Sequence, residues 1–200
     1  MIRRIGLTGG VGSGKSTVAR TLVQCGAVLV DTDAIARSIT LAGGAALPAL
    51  AATFGAAIIG ADGALDRERM RTLAFADPTA KQRLEAIVHP LIGEEARLQA
   101  EAAGEQTIVF DVPLLSESGH WRARVQRILV VDCSEQTQVR RVVARSGWSE
   151  DAVRAVIAQQ APRAQRRAIA DAVIDNDALT LDALQTETRA LWVLWNNGPR

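Results

Sequence analysis

Residues Gly9-Gly10-Val11-Gly12-Ser13-Gly14-Lys15-Ser16 satisfy the pattern G-x-x-x-x-G-K-[ST] at every required position. Before it, Ile2 to Thr8 reads as a short apolar strand; after it, Thr17-Val18-Ala19-Arg20-Thr21-Leu22-Val23 opens an amphipathic helix. Strand, glycine-rich loop and helix, in that order, form the setting in which this pattern cradles phosphate. Glycines let the backbone curl until successive N–H groups face one concavity, and the helix start adds its positive dipole end. Val11, Gly12, Ser13, Gly14, Lys15, Ser16 and Thr17 are therefore expected to hold a nucleotide triphosphate. Lys15 is expected to reach the β- and γ-phosphates, and the Ser16 hydroxyl to take one position on Mg²⁺, an ion that prefers oxygen ligands. A glycine-rich turn that binds nothing is the competing reading, and a full motif in its proper setting weighs against it.

Of the 23 basic residues only Lys15 and Lys81 are lysines. Where arginine serves every other purpose, a lysine inside the loop points to a compact ammonium rather than a planar fork. Neither lysine sits in an Asn-Lys-x-Asp segment, which sets GTPases aside. Net charge is +1, so nothing argues for a nucleic-acid tract or for electrostatic attachment to a membrane. A small anionic substrate fits better. Met1-Ile2-Arg3-Arg4 runs straight into the first strand and no apolar run approaches membrane-spanning length, so a cytoplasmic protein is expected, monomeric or weakly homo-oligomeric. Cys25 and Cys133 lack histidine partners at metal spacing and read as buried free thiols.

Further apolar runs occur at Ala27 to Val30, Thr107 to Phe110, Ile128 to Val131 and Ala172 to Ile174, separated by helical periodicity. They predict an α/β fold, a parallel five-stranded sheet covered by helices, in one domain over residues 1–200. The stretch 32–104, between the second and third runs, is rich in Ala, Leu, Arg and Glu and too long for a crossover helix, so a helical insertion is expected there. Leu181 to Trp195 reads as a packing helix, with Leu181, Leu184, Thr188, Leu191 and Trp195 on one face.

Open parallel sheets bind ligands beyond the carboxyl ends of their strands, and each predicted end after the loop carries aspartate: Asp31-Thr32-Asp33, Asp111, Asp132 and Asp175-Asn176. Asp111 follows Ile108-Val109-Phe110 and reads either as the carboxylate that holds the metal or as a cap after a strand. Asp31 and Asp33 are two apart, one available for chemistry and one for capping. Arg141 and Arg145 share one face of a helix predicted from Thr137 to Arg145, and Arg163, Arg166 and Arg167 follow Gln160-Ala161-Pro162. The 137–167 stretch thus reads as a helical lid whose guanidiniums close over phosphates. A solvated helix face competes, and is favoured for Arg154, Arg163 and Arg167 individually. His89-Pro90 is read as the helix boundary closing the insertion. Asn176 stands where an amide approaches an adenine, and equally where an Asn-Asp pair forms a turn.

The loop with Thr17, then Asp31-Thr32-Asp33, His89-Pro90, Asp111-Val112-Pro113-Leu114-Leu115, Gln138 with Arg141 and Arg145, and Ala170-Asp171-Ala172-Val173-Ile174-Asp175-Asn176 together resemble the dephospho-CoA kinase family, nearly end to end. The resemblance implies a P-loop kinase core with a helical substrate subdomain and a lid. It also implies ATP and Mg²⁺ as cofactors, and dephospho-CoA as the partner phosphorylated on its ribose 3′-hydroxyl. By the same resemblance Asp33 is the general base, Lys15 and Arg141 assist transfer, and Arg145 and Asn176 are ATP ligands. Arg37, Arg67, His89 and Leu114 fall on the substrate side. The family's Asp-Ala-Asp is Asp-Thr-Asp here, and its Pro-Leu-Leu-Phe-Glu is Pro113-Leu114-Leu115-Ser116-Glu117, which leaves the pocket wall at Ser116 open. A nucleoside or nucleoside-monophosphate kinase shares core, lid and arginines, and the size of the helical insertion favours a longer substrate. A nucleotide-operated switch that transfers phosphate to water is the more distant alternative.

Overall fold

The computed structural model describes residues 3–113, 115 and 119–197. Five strands, β1 (Arg4–Gly9), β2 (Val28–Asp31), β3 (Ile108–Asp111), β4 (Arg127–Asp132) and β5 (Ala172–Asp175), form one sheet in the order β2-β3-β1-β4-β5. The central strand β1 pairs in parallel with β3 and β4, with Leu7 opposite both Asp111 and Leu129, and β4 pairs in parallel with β5. The expected α/β sheet is therefore present.

Strands covered on both faces read as continuous apolar runs, as Ile128 to Val131 does; all four residues are fully buried. The loop leads from β1 into α1 (Lys15–Gln24). Val18, Ala19 and Leu22 of α1 join Ile5, Leu7, Val109, Leu129 and Val131 of the sheet in the core. The last helix, α10 (Leu181–Asn197), adds Leu184, with Leu191, Trp192 and Trp195 packed against the same cluster. Leu181, expected on that face, is the first residue of α10 and is 59% exposed.

Between β4 and β5 lie α7 (Glu135–Ser146), α8 (Glu150–Ala158) and α9 (Arg163–Ala168), and a four-residue helix α6 (Gly119–Arg122) precedes β4. Ser134 and Ser149 cap α7 and α8 by accepting the N–H groups of Thr137 and Ala152. Val139, Val142 and Val153 form a small apolar cluster between α7 and α8, against which Val11 of the loop also packs.

The chain divides into two compact units, Met1–Val30 with Ala103–Arg200, and Asp31–Ala102. The second, taken by itself, comprises α2 (Thr32–Ser38), α3 (Leu47–Phe54), a 3₁₀ turn at Ala56–Ile58, α4 (Arg67–Ala76) and the long α5 (Pro78–Ala102). Helix α5 packs on α2, α3 and α4, and Ile35, Leu50, Ile58 and Met70 are buried. His89-Pro90 does not end a helix: Pro90 lies inside α5, which continues for twelve residues beyond it. A proline there removes one backbone donor and strains a single turn. The helix persists because it is packed on three neighbours, and tertiary contact outweighs local propensity.

Candidate nucleotide site

The site begins where β1 turns into α1. Gly12 and Gly14 adopt φ of 74° and 100°, a left-handed conformation that only glycine adopts without strain. Gly14 also stands at the α1 N-terminus with no side-chain cap, so the first N–H groups of α1 stay open to an anion. Lys15 follows at the first helical position, and its ammonium donates to Asp111 Oδ1 at the end of β3. Both side chains are largely enclosed. Ser16 is exposed and Thr17 half-buried on the next turn of backbone.

The outer arch of the loop is gripped by residues far along the chain. Val11 N–H donates to Gln160 Oε1 (3.1 Å), and Gln138 Nε2 donates to the Val11 carbonyl (2.8 Å). Both polar groups of one residue are thus held by side chains of the α7–α9 segment. Asn176 Nδ2 donates to the Ser13 carbonyl (2.8 Å), and Arg141 Nη2 donates to the Asn176 carbonyl (2.7 Å). Asn176 is buried, so its amide donor serves the loop rather than an open base-binding surface. In the sequence Gln138 is marked only by the family resemblance and Gln160 only by its place at the edge of a motif; polar side chains turned inward leave no periodic signal.

The arginines separate into distinct groups. Arg163 and Arg167 are not a free solvated face: Arg163 Nε (2.8 Å) and Arg167 Nη1 both donate to Oδ2 of Asp132, a carboxylate only 1% exposed. Hydrogen bonding to Asp132 raises both guanidinium pKa values. Arg154 does pair on the surface, with Glu150 at 3.5 Å. Arg145 is exposed and Arg141 half-buried with its Nη1 enclosed and unpartnered, while Arg166 is buried. Beyond β5, Asp177 Oδ1 accepts from Ser134 Oγ (2.7 Å) and Ser134 N (2.9 Å), which holds its carboxyl down to about 2. Burial pushes the Cys133 thiol up to about 11, and Cys25 is half-buried; both are free thiols.

In the Asp31–Ala102 unit the two candidate aspartates differ. Asp31 is the N-cap of α2, its Oδ1 accepting from Ala34 N (2.9 Å), whereas Asp33 is exposed in the first turn and no described side chain engages it. Arg37 is exposed at the other end of α2, Arg67 donates to Thr40 Oγ1 (3.0 Å), and His89 lies half-way along α5. Leu114, with Ser116 and Glu117, lies outside the described residues.

A model of the dephospho-CoA kinase family matches residues 3–182. The chain belongs to the dephospho-CoA kinase family. Its relatives of that name include proteins from Albidiferax ferrireducens, 54% identical over 92% of this chain and 88% of the relative, and from Dechloromonas aromatica, 56% identical over 87% and 84%. Among solved structures, a Thermus thermophilus protein superposes with a TM-score of 0.81 at 35% identity, covering 100% of this chain and 99% of that one. Dephospho-CoA kinase from Campylobacter jejuni shares the fold at a TM-score of 0.71 and 21% identity, covering 97% of each chain. Shikimate kinase from Acinetobacter baumannii shares it at 0.56 and 15%, covering 100% of this chain and 97% of that one. Among the described residues no helix is long and apolar enough to cross a membrane.

Proposed function

We propose that this chain transfers the γ-phosphoryl group of ATP to the ribose 3′-hydroxyl of dephospho-CoA, giving coenzyme A and ADP in the cytoplasm. The observation that carries this reading is the family match over residues 3–182, with the phosphate loop complete inside it.

Phosphoryl transfer asks a protein chiefly to position two reactants and to neutralise charge on the equatorial oxygens. The N–H groups of the loop from Gly12 to Thr17, with Lys15, hold the triphosphate, and Val11 keeps the arch in shape through its two glutamine partners. Arg141 and Arg145 add positive charge from α7, and α7–α9 act as the lid that excludes water. Asp33 takes the proton from the 3′-hydroxyl as it attacks; its carboxylate is exposed and uncommitted, whereas that of Asp31 is spent on the α2 cap. Arg37 and His89, with Leu114, contact the acceptor.

Ser16 and Asp111 are the Mg²⁺ ligands in this reading. The donor set fits in kind, since Ser16 offers a hydroxyl and Asp111 a carboxylate, the oxygen ligands that a hard cation prefers. Mg²⁺ commonly takes only one or two protein oxygens, completing its shell with phosphate and water. Bound there, it would neutralise negative charge on the transferring phosphoryl group.

The test of the base is Asp33→Asn beside Asp31→Asn. Asp33→Asn is expected to reduce transfer by about 10²-fold or more with ATP binding intact. Asp31→Asn keeps a capping side chain and is expected to retain most activity. The reverse ranking overturns the assignment.

A further inference from the structure

Gln138 of α7 is 0% exposed, and its amide is satisfied on one side only. Nε2 donates to the Val11 carbonyl (2.8 Å), while Oε1 is enclosed and accepts from no described group. An enclosed amide with an empty acceptor costs stability that an apolar side chain of the same length would not. What this amide contributes is therefore its bond to the phosphate loop.

Gly10 points the same way. The motif leaves its second position free, and Gly10 is not among the glycines of positive φ, so neither the pattern nor the backbone demands glycine there. What excludes a side chain is Gln138: a carbon added at Gly10 would fall on Nε2, far inside contact distance, and 3.2 Å from Cδ. Arg166 Nη2, 3.0 Å from that carbon, is the far end of a long side chain and a softer obstacle. At Gly12 an added carbon would stand 3.0 Å from the Gln138 carbonyl oxygen, so α7 lies against the arch with no room for a side chain between them.

We propose that Gln138 is a positioning residue for phosphoryl transfer, acting through the loop with Gly10 as its steric counterpart. The described peptide bonds are trans, and in a trans peptide unit the C=O and the following N–H point in opposite directions. By drawing the Val11 carbonyl towards α7, Gln138 turns the Gly12 N–H to the other side of the arch, where the reading above places the nucleotide phosphates. A donor aimed in advance needs no reorganisation when the triphosphate arrives. The inference rests on the ATP-dependent transfer proposed above and adds to it the residue that aims one of its phosphate donors.

The test measures the Kd of ATP, the KM of dephospho-CoA, kcat and Tm for wild-type protein, Gln138→Met, Gln138→Ala, Gly10→Ala and the double variant Gly10→Ala/Gln138→Ala, at a temperature below the Tm of each. For Gln138→Met, which keeps the length and loses the donor, ATP binding is expected to weaken about tenfold. Its kcat is expected to fall about tenfold, with the KM of dephospho-CoA nearly unchanged. A glutamine that only filled space would give way to methionine without loss of ATP affinity. Gly10→Ala is expected to weaken ATP binding about tenfold in wild-type protein, and by less than about twofold once Gln138→Ala has emptied the space. Unchanged ATP affinity in folded Gln138→Met, or an equal effect of Gly10→Ala in both backgrounds, overturns the inference. If the Gln138 variants fail to fold, Gly10→Ala alone decides, and unchanged ATP affinity in it overturns the inference. Failure of wild-type protein to phosphorylate dephospho-CoA would instead overturn the function on which it rests, and the Kd of ATP, which needs no acceptor, separates the two.

Discussion

The Lys15 ammonium donates to Asp111 Oδ1, so the loop's lysine and the carboxylate ending β3 meet across the adjacent strands β1 and β3. The two groups proposed for phosphate and metal are thus held in contact by the sheet itself. Asp111→Asn is expected to raise the Mg²⁺ concentration needed for half-maximal turnover and to lower kcat by about 10²-fold. Lys15→Arg is expected to lower kcat comparably with little change in Mg²⁺ demand, because a planar fork replaces a point charge. Magnesium titrations of both variants check the difference.

Asn176 connects the end of β5 to the loop through the Ser13 carbonyl, and Arg141 is fastened to the Asn176 backbone. Asn176→Ala leaves a buried carbonyl without its donor, a loss of about 1–3 kcal/mol. Thermal unfolding should register that loss. The KM for ATP should rise while that for dephospho-CoA stays nearly constant, since only the loop is disturbed.

Asp132 is a buried carboxylate served by two arginines that are themselves 36% and 43% exposed. Removing Arg163 or Arg167 alone leaves the other in place, and each change is expected to cost little. Removing both strands the charge, which costs about 3–5 kcal/mol. A double-mutant cycle by denaturant unfolding should therefore return a coupling well above zero, and simple additivity would contradict the shared clamp.

Asp177 has a depressed pKa because Ser134 donates to it through side chain and backbone, with Thr137 also contributing. A carboxylate depressed on folding stabilises the native state above its unfolded pKa and loses that contribution as pH falls through its folded value. The window runs from the ordinary 3.8 down to about 2. Asp177→Asn is expected to lower Tm at neutral pH and to flatten the acid dependence across that window, which thermal melts between pH 7 and the acid limit would register.

Much of this architecture was legible in the residues. The loop motif located β1 and α1, and the apolar runs located the remaining strands to within one or two residues, with aspartate at the end of β2, β3, β4 and β5. Which aspartate serves which use was less legible. Asp31 caps a helix and Asp132 neutralises two arginines, and such choices depend on which distant side chains the fold brings near. The His89-Pro90 pair misleads for the same reason: proline reports a local preference, and the packing of α5 overrides it. Gln138, Gln160 and Arg166 are ordinary surface residue types by composition, and only the fold turns them toward the loop.

The most direct test of the account is ADP release from Mg-ATP with dephospho-CoA, adenosine, AMP or CMP as acceptor, beside a control lacking acceptor. Turnover confined to dephospho-CoA, with the new phosphate on the ribose 3′-oxygen, is the predicted result. Comparable turnover with a nucleoside monophosphate or with no acceptor would contradict the proposed function and leave only the phosphate loop's affinity for nucleotide.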